Sequence, residues 1–184
     1  MLIKIIIGIV IVVIVFVVVV AMQPSEATIT RSMTMPLPPA PIFAQANDFH
    51  KWEAWSPWTK LDPAAKNSFE GAPSGEGAIF TWSGNDKIGA GKMAIIESKP
   101  SELIRIKLEF YRPFPGINDT LFTFKPEGNQ TTVTWTMTGK RTFLAKMFCM
   151  FMNMDKMVGG EFEKGLAQMK AAAQATTKSN QTIP

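Results

Sequence analysis

The sequence has little of the chemistry that disulfide frameworks, zinc sites and catalytic triads require. Of its 184 residues, one is a cysteine, Cys149, and one is a histidine, His50. A disulfide needs two cysteines, and a structural zinc site needs several Cys or His ligands. A Ser-His-Asp or Cys-His arrangement would have to be built around that one histidine. We therefore expect no catalytic residues, no metal and no cofactor, and we expect Cys149 to be a small buried apolar residue.

Basic residues are not concentrated in any segment. The chain has 19 Lys and Arg and 15 Asp and Glu, which gives a formal net charge of +4. The longest basic run is the pair Lys140-Arg141. Nucleic-acid-binding domains place positive charge in a patch or a stripe, so this pattern disfavours a nucleic-acid partner. It is compatible with a modest attraction to anionic lipid headgroups.

The first 22 residues are almost without polar side chains. From Ile5 to Ala21 none is polar, and Lys4 is the only charged side chain among the first 25 residues. A helix over this apolar run would be about 25 Å long, close to the ~30 Å hydrocarbon core of a bilayer. We predict a transmembrane signal anchor over residues 1–22. A cleaved signal peptide is the alternative, because Val19 and Ala21 fit a cleavage site, but the run is longer than a signal core.

The charges that flank this segment predict its orientation. Lys4 and the terminal amine precede it, and the next positive side chain is Arg31. The positive-inside rule then keeps the N-terminus in the cytoplasm and exports the C-terminal domain to the periplasmic or extracellular side. We therefore predict a single-pass membrane protein.

The residues that follow, 23–175, form one predicted domain that begins with strands. The segment "ATITRSMTM" alternates apolar and polar residues, as a strand with one buried face does. "PLPPAP" ends that strand and opens a short helix, because proline fits the first helical turn. Five more strands follow in "AIFTW", "KIGAGKMAIIES", "LIRIKLEFY", "TLFTF" and "TTVTWTMTG". Short turns between them predict an antiparallel meander that is apolar on one face.

Two of these strands alternate clearly enough to predict which residues face inward. Arg105 and Lys107 should face solvent, since a shift of one residue would turn the whole set outward. The glycines of "GAGK", 89–92, lie inside a strand pattern, so they predict a bulge or bend rather than a phosphate loop. The predicted inner-face residues are Ile104, Ile106, Leu108, Phe110, Trp135 and Met137.

A long helix is predicted from Phe143 to Ala173, and its first half is rich in methionine. Apolar residues recur along it at spacings of three and four, which is the period of one helix face. We predict that Met147, Met150 and Met154 face the sheet and that Met152 points elsewhere. Methionine adapts to irregular gaps, so this face suits a cavity lining. The polar tail, 176–184, is predicted to be disordered.

The order of elements and three segments resemble a known superfamily. The segments are "PLPPAPIFAQANDFHKWEAWSPWTKLDP", "SGEGAIFTWSGNDKIGAGKMAI" and "MDKMVGGEFEKGLAQMK". They are similar to the START-related polyketide cyclase/dehydrase and lipid-transport (SRPBCC) superfamily, over about residues 26–173. The resemblance implies an α+β helix-grip fold, in which a curved antiparallel β-sheet wraps around a long C-terminal helix. It also implies a cavity between the two.

The predicted ligand site combines that cavity with the inner-face residues. Trp52 is expected in the core, whereas Trp55 and Trp58 flank an irregular segment where binding groups are common. We expect a lipid or another hydrophobic small molecule, because ligand pockets are mostly apolar with few polar groups. The candidate ligand-binding residues are Trp55, Trp58, Trp82, Ile106, Leu108, Phe110, Phe122, Phe124, Trp135, Met137, Met147, Met150 and Met154.

Two other functions stay open. The domain is alternatively an accessory or scaffold subunit with a membrane-protein partner, although helix-packing motifs of small residues are missing from the apolar N-terminal run. An enzyme of the cyclase or dehydratase type follows from the resemblance alone. The acidic candidates for such chemistry are Glu97, Glu109, Asp119 and Glu127, and none is predicted in an apolar site that would shift its pKa. A non-enzymatic function is therefore favoured.

Overall fold

The computed structural model describes the backbone of residues 1–181 and the side chains of residues 1–179. This described part of the chain forms five α-helices and a seven-stranded sheet. Two 3₁₀ turns, Phe49–Lys51 and Thr59–Leu61, flank the third helix. In chain order the elements are α1 (Leu2–Met22), β1 (Glu26–Met35), α2 (Pro39–Ala46), α3 (Trp52–Trp55), β2 (Lys66–Gly71), β3 (Ala78–Ser83), β4 (Ala90–Lys99), β5 (Leu103–Arg112), β6 (Gly116–Glu127), β7 (Gln130–Lys140), α4 (Phe143–Cys149) and α5 (Met154–Gln181).

The sheet is an antiparallel meander whose first strand returns to pair with the last. The strand order is β1-β7-β6-β5-β4-β3-β2. Strand β1 pairs with β7 from Glu26↔Lys140 to Met35↔Thr131, and each remaining pair follows the chain order. The curved sheet wraps around α5, so the predicted α+β helix-grip fold is confirmed.

Strand alternation was predicted correctly in the middle of the sheet. Ile104 and Ile106 of β5 are fully buried, and Lys107 on the opposite face of the strand is exposed. Strand β4 has a register shift between Ala90 and Gly91, which is the irregularity predicted from the "GAGK" segment. Strand β2 was not predicted. All six of its residues are exposed, so it has no alternation for the sequence pattern to show.

The predicted continuous helix from Phe143 to Ala173 is wrong. The chain leaves the helix after Cys149 and begins α5 at Met154. The side-chain oxygen of Asn153 accepts a hydrogen bond from the backbone N–H of Lys156 at 2.9 Å, which caps the new helix. Helix α5 continues to Gln181 and so includes most of the tail that was predicted to be disordered. The last part of that tail, 182–184, lies outside the described residues.

Helix α5 packs on the inner face of the sheet through one apolar stripe and one ion-pair cluster. The Arg31 guanidinium of β1 forms ion pairs with Asp155 at 3.0 Å and Glu163 at 2.7 Å. Gly159 makes this approach feasible, because a Cβ there would overlap the guanidinium. Of the two adjacent glycines, Gly159 therefore marks the close approach of the Arg31 side chain, whereas a Cβ at Gly160 would meet nothing within 4 Å. The buried stripe consists of Phe162, Leu166, Met169 and Ala173.

Helix α1 extends away from this domain. It is the one helix in the described residues that is long and apolar enough to cross a membrane. Its last turn is different from the rest, because Val20 is fully buried against the domain. Helix α1 ends at Met22, and the division of the chain after residue 22 stays a prediction.

Candidate functional site

A cavity of about 690 Å³ lies between the concave face of the sheet, the α3 region and the helices α4 and α5. Ligand pockets for small organic molecules usually measure about 300–1,000 Å³, so this volume is in the expected range. Its lining is dominated by large apolar side chains. The aromatic members are Phe49, Trp52, Trp58, Phe69, Phe80, Trp82, Phe110, Trp135 and Phe162.

The structure brings about half of the predicted ligand-binding residues into this lining. They come from β3, β5, β7, α5 and the loop after α3. The predicted residues that line the cavity are Trp58, Trp82, Leu108, Phe110, Trp135, Met137 and Met154. The remainder, Trp55, Ile106, Phe122, Phe124, Met147 and Met150, do not line it.

Two reasons explain why the remaining six lie elsewhere. Trp55, Ile106, Phe122 and Phe124 are at most 3% exposed and form the packed core next to the cavity. Met147 is a partly buried residue of α4 outside the lining, and Met150 lies at the break between α4 and α5. Met150 ends α4 and is 39% exposed, so the prediction that this methionine faces the sheet is wrong.

The methionine-rich segment contributes to the cavity in a different way from the prediction. Met154, at the start of α5, lines the cavity as predicted. Cys149 of α4 lines it too and is only partly buried, so the expectation that it is a buried core residue is wrong. Met152 is 44% exposed, in agreement with the prediction that it points elsewhere.

Three of the indole N–H groups near the cavity have backbone partners. Trp52 Nε1 donates to the carbonyl of Ala46 at 3.0 Å, and Trp55 Nε1 donates to that of Gln45 at 3.1 Å. These bonds support the predicted core position of Trp52, which is 7% exposed. Trp82 Nε1 donates to the carbonyl of Ile88 at 3.0 Å. Each of these tryptophans therefore has its polar atom satisfied by the protein.

Two buried polar atoms of residues in the lining have no such partner. Thr120 Oγ1 on β6 and Trp135 Nε1 on β7 are buried and form no hydrogen bond with any described residue. Both residues are 3% exposed, and both line the cavity. Thr120 was not among the predicted site residues. The sequence contained the information, because Thr120 alternates in register with Phe122 and Phe124 on the inner face of β6.

The four acidic candidates for catalysis lie outside the cavity lining. The Lys99 ammonium donates to Glu97 and holds the pKa of that carboxyl below its ordinary value. Lys107 has the same effect on the pKa of Glu109. Asp119 forms an ion pair with Arg105 at 3.1 Å, and Glu127 forms one with Lys125 at 3.7 Å.

The described residues contain no group of three His, Cys, Asp or Glu side chains placed to hold a metal ion. The charged side chains that do line the cavity are exposed or only partly buried, so they form its rim. They are Glu53, Asp62, Asp86, Lys87, Arg112, Lys140 and Arg141. The arrangement is therefore an apolar chamber with a charged rim.

Comparison with known proteins identifies this architecture. Residues 26–174 match the family described as polyketide cyclase / dehydrase and lipid transport. The chain belongs to this family. The match covers nearly the whole domain after α1 and confirms the resemblance drawn from the three sequence segments. A search of curated protein sequences finds no match.

Solved structures share the fold at low sequence identity. TTHA0849 from Thermus thermophilus has a TM-score of 0.60 and 15% identity, over 82% of this chain and 99% of that chain. MLL2253 from Mesorhizobium loti has a TM-score of 0.59 and 16% identity, over 82% of this chain and 98% of that one. Mll3558 from Rhizobium loti has a TM-score of 0.54 and 22% identity, over 80% of this chain and 96% of that chain. These similarities establish the fold of the family in this chain.

Proposed function

We propose that this protein is a membrane-anchored binding module that holds a lipid or another hydrophobic small molecule in the cavity between the sheet and α4–α5. The observation that supports this most directly is the apolar cavity of about 690 Å³. Packed protein interiors leave few voids larger than a water molecule. A chamber of this size lined by aromatic side chains is therefore better explained by an apolar ligand than by imperfect packing.

The position of α4 supports the membrane part of the proposal. Lys146 of α4 is 9% exposed, and its Nζ donates to the carbonyl of Ala21 at 3.3 Å and to Ser25 Oγ at 3.0 Å. Ala21 lies in the last turn of α1, where free carbonyls and the helix dipole favour a positive charge. If α1 spans the bilayer, this contact places α4 at the level of the lipid headgroups.

The two sides of α4 differ in what they contact. Ala145 and Cys149, one turn apart, line the cavity. Leu144 and Phe148 are also one turn apart, and they are 54% and 46% exposed. Phe151 just after the helix is 77% exposed. An exposed apolar side next to a membrane helix suits contact with lipid. Helix α4 therefore separates the cavity from the bilayer in this proposal.

The β5–β6 turn extends the same apolar surface. Its Phe114 is 51% exposed, and the Phe114 ring lies 5.3 Å from the Phe148 ring. Pro113 next to it lines the cavity. We therefore place the route between bilayer and cavity beside this contact of α4 with the β5–β6 turn. The flanking charges favour an N-terminus in the cytoplasm and a domain on the exported side.

The experiment that tests the function is native mass spectrometry of the full chain, purified from its own membrane in a mild detergent. We expect a bound apolar molecule on the wild-type protein. Leu108→Trp fills the cavity, because Leu108 is 9% exposed and lines it. The matched control is Lys107→Trp, since the adjacent side chain points to the opposite, exposed face of the same strand.

The proposal predicts that the bound mass is lost in Leu108→Trp and kept in Lys107→Trp. Circular dichroism of both variants checks that the fold is intact, and Ala145→Phe fills the cavity from α4 if Leu108→Trp fails to fold. Equal occupancy in all variants, or no bound molecule on the wild type, contradicts the proposal.

The exposed apolar side chains of α4 also favour a second function, that of an accessory subunit docked on a membrane protein. The observation is the surface of Leu144, Phe148 and Phe151 described above. In that case Leu144→Ser and Phe148→Ser would remove a co-purified protein partner from mild detergent extracts and would leave the ligand in the cavity unchanged.

A further inference from the structure

A second pocket, of about 440 Å³, lies at the break between α4 and α5, and we call it the junction pocket. Four of its nine lining residues carry sulfur, and all four fall within the segment "CMFMNM", 149–154. They are Cys149, Met150, Met152 and Met154. The break in the helix therefore gathers the sulfur-bearing residues of this segment around one pocket instead of spreading them along one helix face.

The backbone keeps the first members of this group close together. The N–H of Met152 donates to the carbonyl of Phe148 at 3.1 Å, so one further helical hydrogen bond follows the end of α4. Cys149 and Met152 are three residues apart in this turn, a spacing at which Cβ atoms lie about 5–6 Å from each other. Two sulfur ligands at about 2.3 Å from one metal ion are at most about 4.6 Å apart. The flexible methionine side chain can close that difference.

Met154 joins the group from the other side of the break. Cys149 and Met154 each line both the junction pocket and the main cavity, so both lie where the two pockets adjoin. Met150 and Met152 are 39% and 44% exposed, so an ion can reach them from solvent. The four residues therefore combine short separations along the chain with access from outside.

The oxygen donors of the lining are largely engaged within the protein. The Asp155 carboxylate is paired with Arg31 at 3.0 Å, and the side-chain oxygen of Asn153 accepts from the Lys156 N–H at 2.9 Å. Calcium and magnesium ions are bound by oxygen ligands, so this lining does not suit them. Thiolate and thioether sulfur, in contrast, select soft ions such as Cu(I).

We propose that the junction pocket binds one Cu(I) ion through the Cys149 thiolate and the thioethers of Met150, Met152 and Met154. The scarcity of Cys and His excludes a structural zinc site, but it does not exclude a site built mainly from methionine. The Cys149 thiol releases its proton to solvent when it binds the ion. Copper remains Cu(I), so no oxidant or reductant takes part. The site is separate from the ligand proposed for the main cavity and does not depend on it.

The test is competition for Cu(I) between bicinchoninate and the full chain in nanodiscs, under anaerobic conditions with ascorbate present. The wild-type protein should withdraw one equivalent of Cu(I) per chain from the coloured bicinchoninate complex. An equal concentration of Zn(II) should not displace this copper, because zinc is bound by Cys, His and carboxylate ligands and not by methionine.

The variants Met152→Leu and Cys149→Ala each remove one sulfur ligand. Even changes in the outer shell of a metal site cost about 10–100-fold in affinity, so each variant should bind Cu(I) at least about ten-fold more weakly. Met147→Leu and Met157→Leu are the matched controls, because these two methionines of the same segment do not line the junction pocket. Both controls should keep the wild-type affinity.

A triple variant with leucine at positions 150, 152 and 154 distinguishes the proposed site from a thiol that binds copper by itself. Met→Leu nearly conserves volume, so this variant should keep its fold, which circular dichroism checks. It should lose the bound Cu(I) although Cys149 is still present. Wild-type affinity in the triple variant overturns the proposal, as does a wild-type protein that leaves the Cu(I) with bicinchoninate. Equal losses in Met147→Leu and Met152→Leu overturn it as well.

Discussion

The indole ring of Trp135 on β7 lies parallel to the phenyl ring of Phe162 on α5, with 4.0 Å between the ring centroids and 4° between the planes. Phe162 is 1% exposed, and both residues line the cavity. Gly165, three residues further along α5, leaves room for the indole, because a Cβ there would lie 2.9 Å from a ring carbon of Trp135. This contact joins the long helix to the sheet at the cavity.

Phe162→Ala removes that ring contact. We expect it to lower the free energy of unfolding by about 3–5 kcal/mol, as truncation of a buried aromatic residue does. The measurement is denaturant unfolding of the full chain in detergent micelles. Phe148→Ala is the control, since Phe148 is 46% exposed and its truncation should cost under about 1 kcal/mol. Similar losses in the two variants would show that the contact with Trp135 is not structurally important.

The two adjacent glycines of α5 should respond in opposite directions to alanine. At Gly159 a Cβ overlaps the Arg31 guanidinium, so Gly159→Ala should weaken the ion pairs with Asp155 and Glu163 and destabilise the protein. At Gly160 nothing lies within 4 Å, so Gly160→Ala should stabilise the helix by about 0.5–1 kcal/mol. Thermal unfolding of both variants tests this. A stabilising Gly159→Ala would contradict the close packing of Arg31.

The Arg31–Asp155 pair should make stability depend on pH in the acidic range. Arg31 donates to the Asp155 carboxylate and lowers the pKa of that group below its ordinary value of 3.8. A lowered pKa in the folded state stabilises the protein fully above the unfolded value, and this contribution is lost as the pH falls through the lower, folded value. Asp155→Asn should therefore reduce the loss of stability below about pH 4. If Asp155→Asn loses as much stability at acidic pH as the wild type does, the ion pair does not contribute to the pH dependence of stability.

Replacing Thr120 should stabilise the ligand-free protein. Thr120→Val removes a buried hydroxyl that has no partner among the described residues, and we expect a gain of about 1 kcal/mol. Thr136→Val, in contrast, removes a hydroxyl that bonds Thr30, so it should be neutral or destabilising. Thermal unfolding after delipidation compares the two. A clear loss of stability in Thr120→Val would indicate that the hydroxyl has a structural partner.

Met154 and Met150 should differ in their effect on ligand range. Met→Leu nearly conserves volume and should cost under about 1.5 kcal/mol of stability at either position. Leucine is stiffer than methionine, so Met154→Leu should narrow the set of hydrophobic probes that bind the cavity. Met150→Leu is the matched control, because Met150 does not line the cavity. If both variants bind the same set of hydrophobic probes, Met154 is an ordinary packing residue.

The sheet was largely predictable from the sequence because a strand repeats every two residues. In β5 and β7 one face is buried, so the alternation of Ile106 with Lys107 indicates the register directly. All six residues of strand β2 are exposed, and its one large apolar side chain, Phe69, contacts the rings of His50 and Phe80. Such an edge strand has no hydrophobic pattern, and the prediction missed it for that reason.

The start of the long helix was harder to predict because two helices with a short break share one apolar period. The methionines continue at spacings of three and four through the segment 150–153, although the backbone there is not helical. The interruption is indicated by Asn153, whose side chain caps α5. The preference of Asn for N-caps was therefore a better guide here than the methionine pattern.

The candidate site was predictable in its apolar part and less so in its polar part. The inner-face rule finds Trp135 and Met137, and the same rule applied to β6 includes Thr120. Arg31 is different, because alternation places this charged residue on the inner face between Ile29 and Met33. Its role depends on Asp155 and Glu163, which are more than 120 residues away in the chain. Single-sequence patterns do not contain such distant pairings.

The most direct test of the account is a high-resolution experimental structure of the full chain, extracted from its own membrane into nanodiscs. The account predicts continuous density for an apolar molecule in the cavity, in contact with Phe162. A cavity filled by the protein's own side chains, or one without density for a ligand, would contradict it.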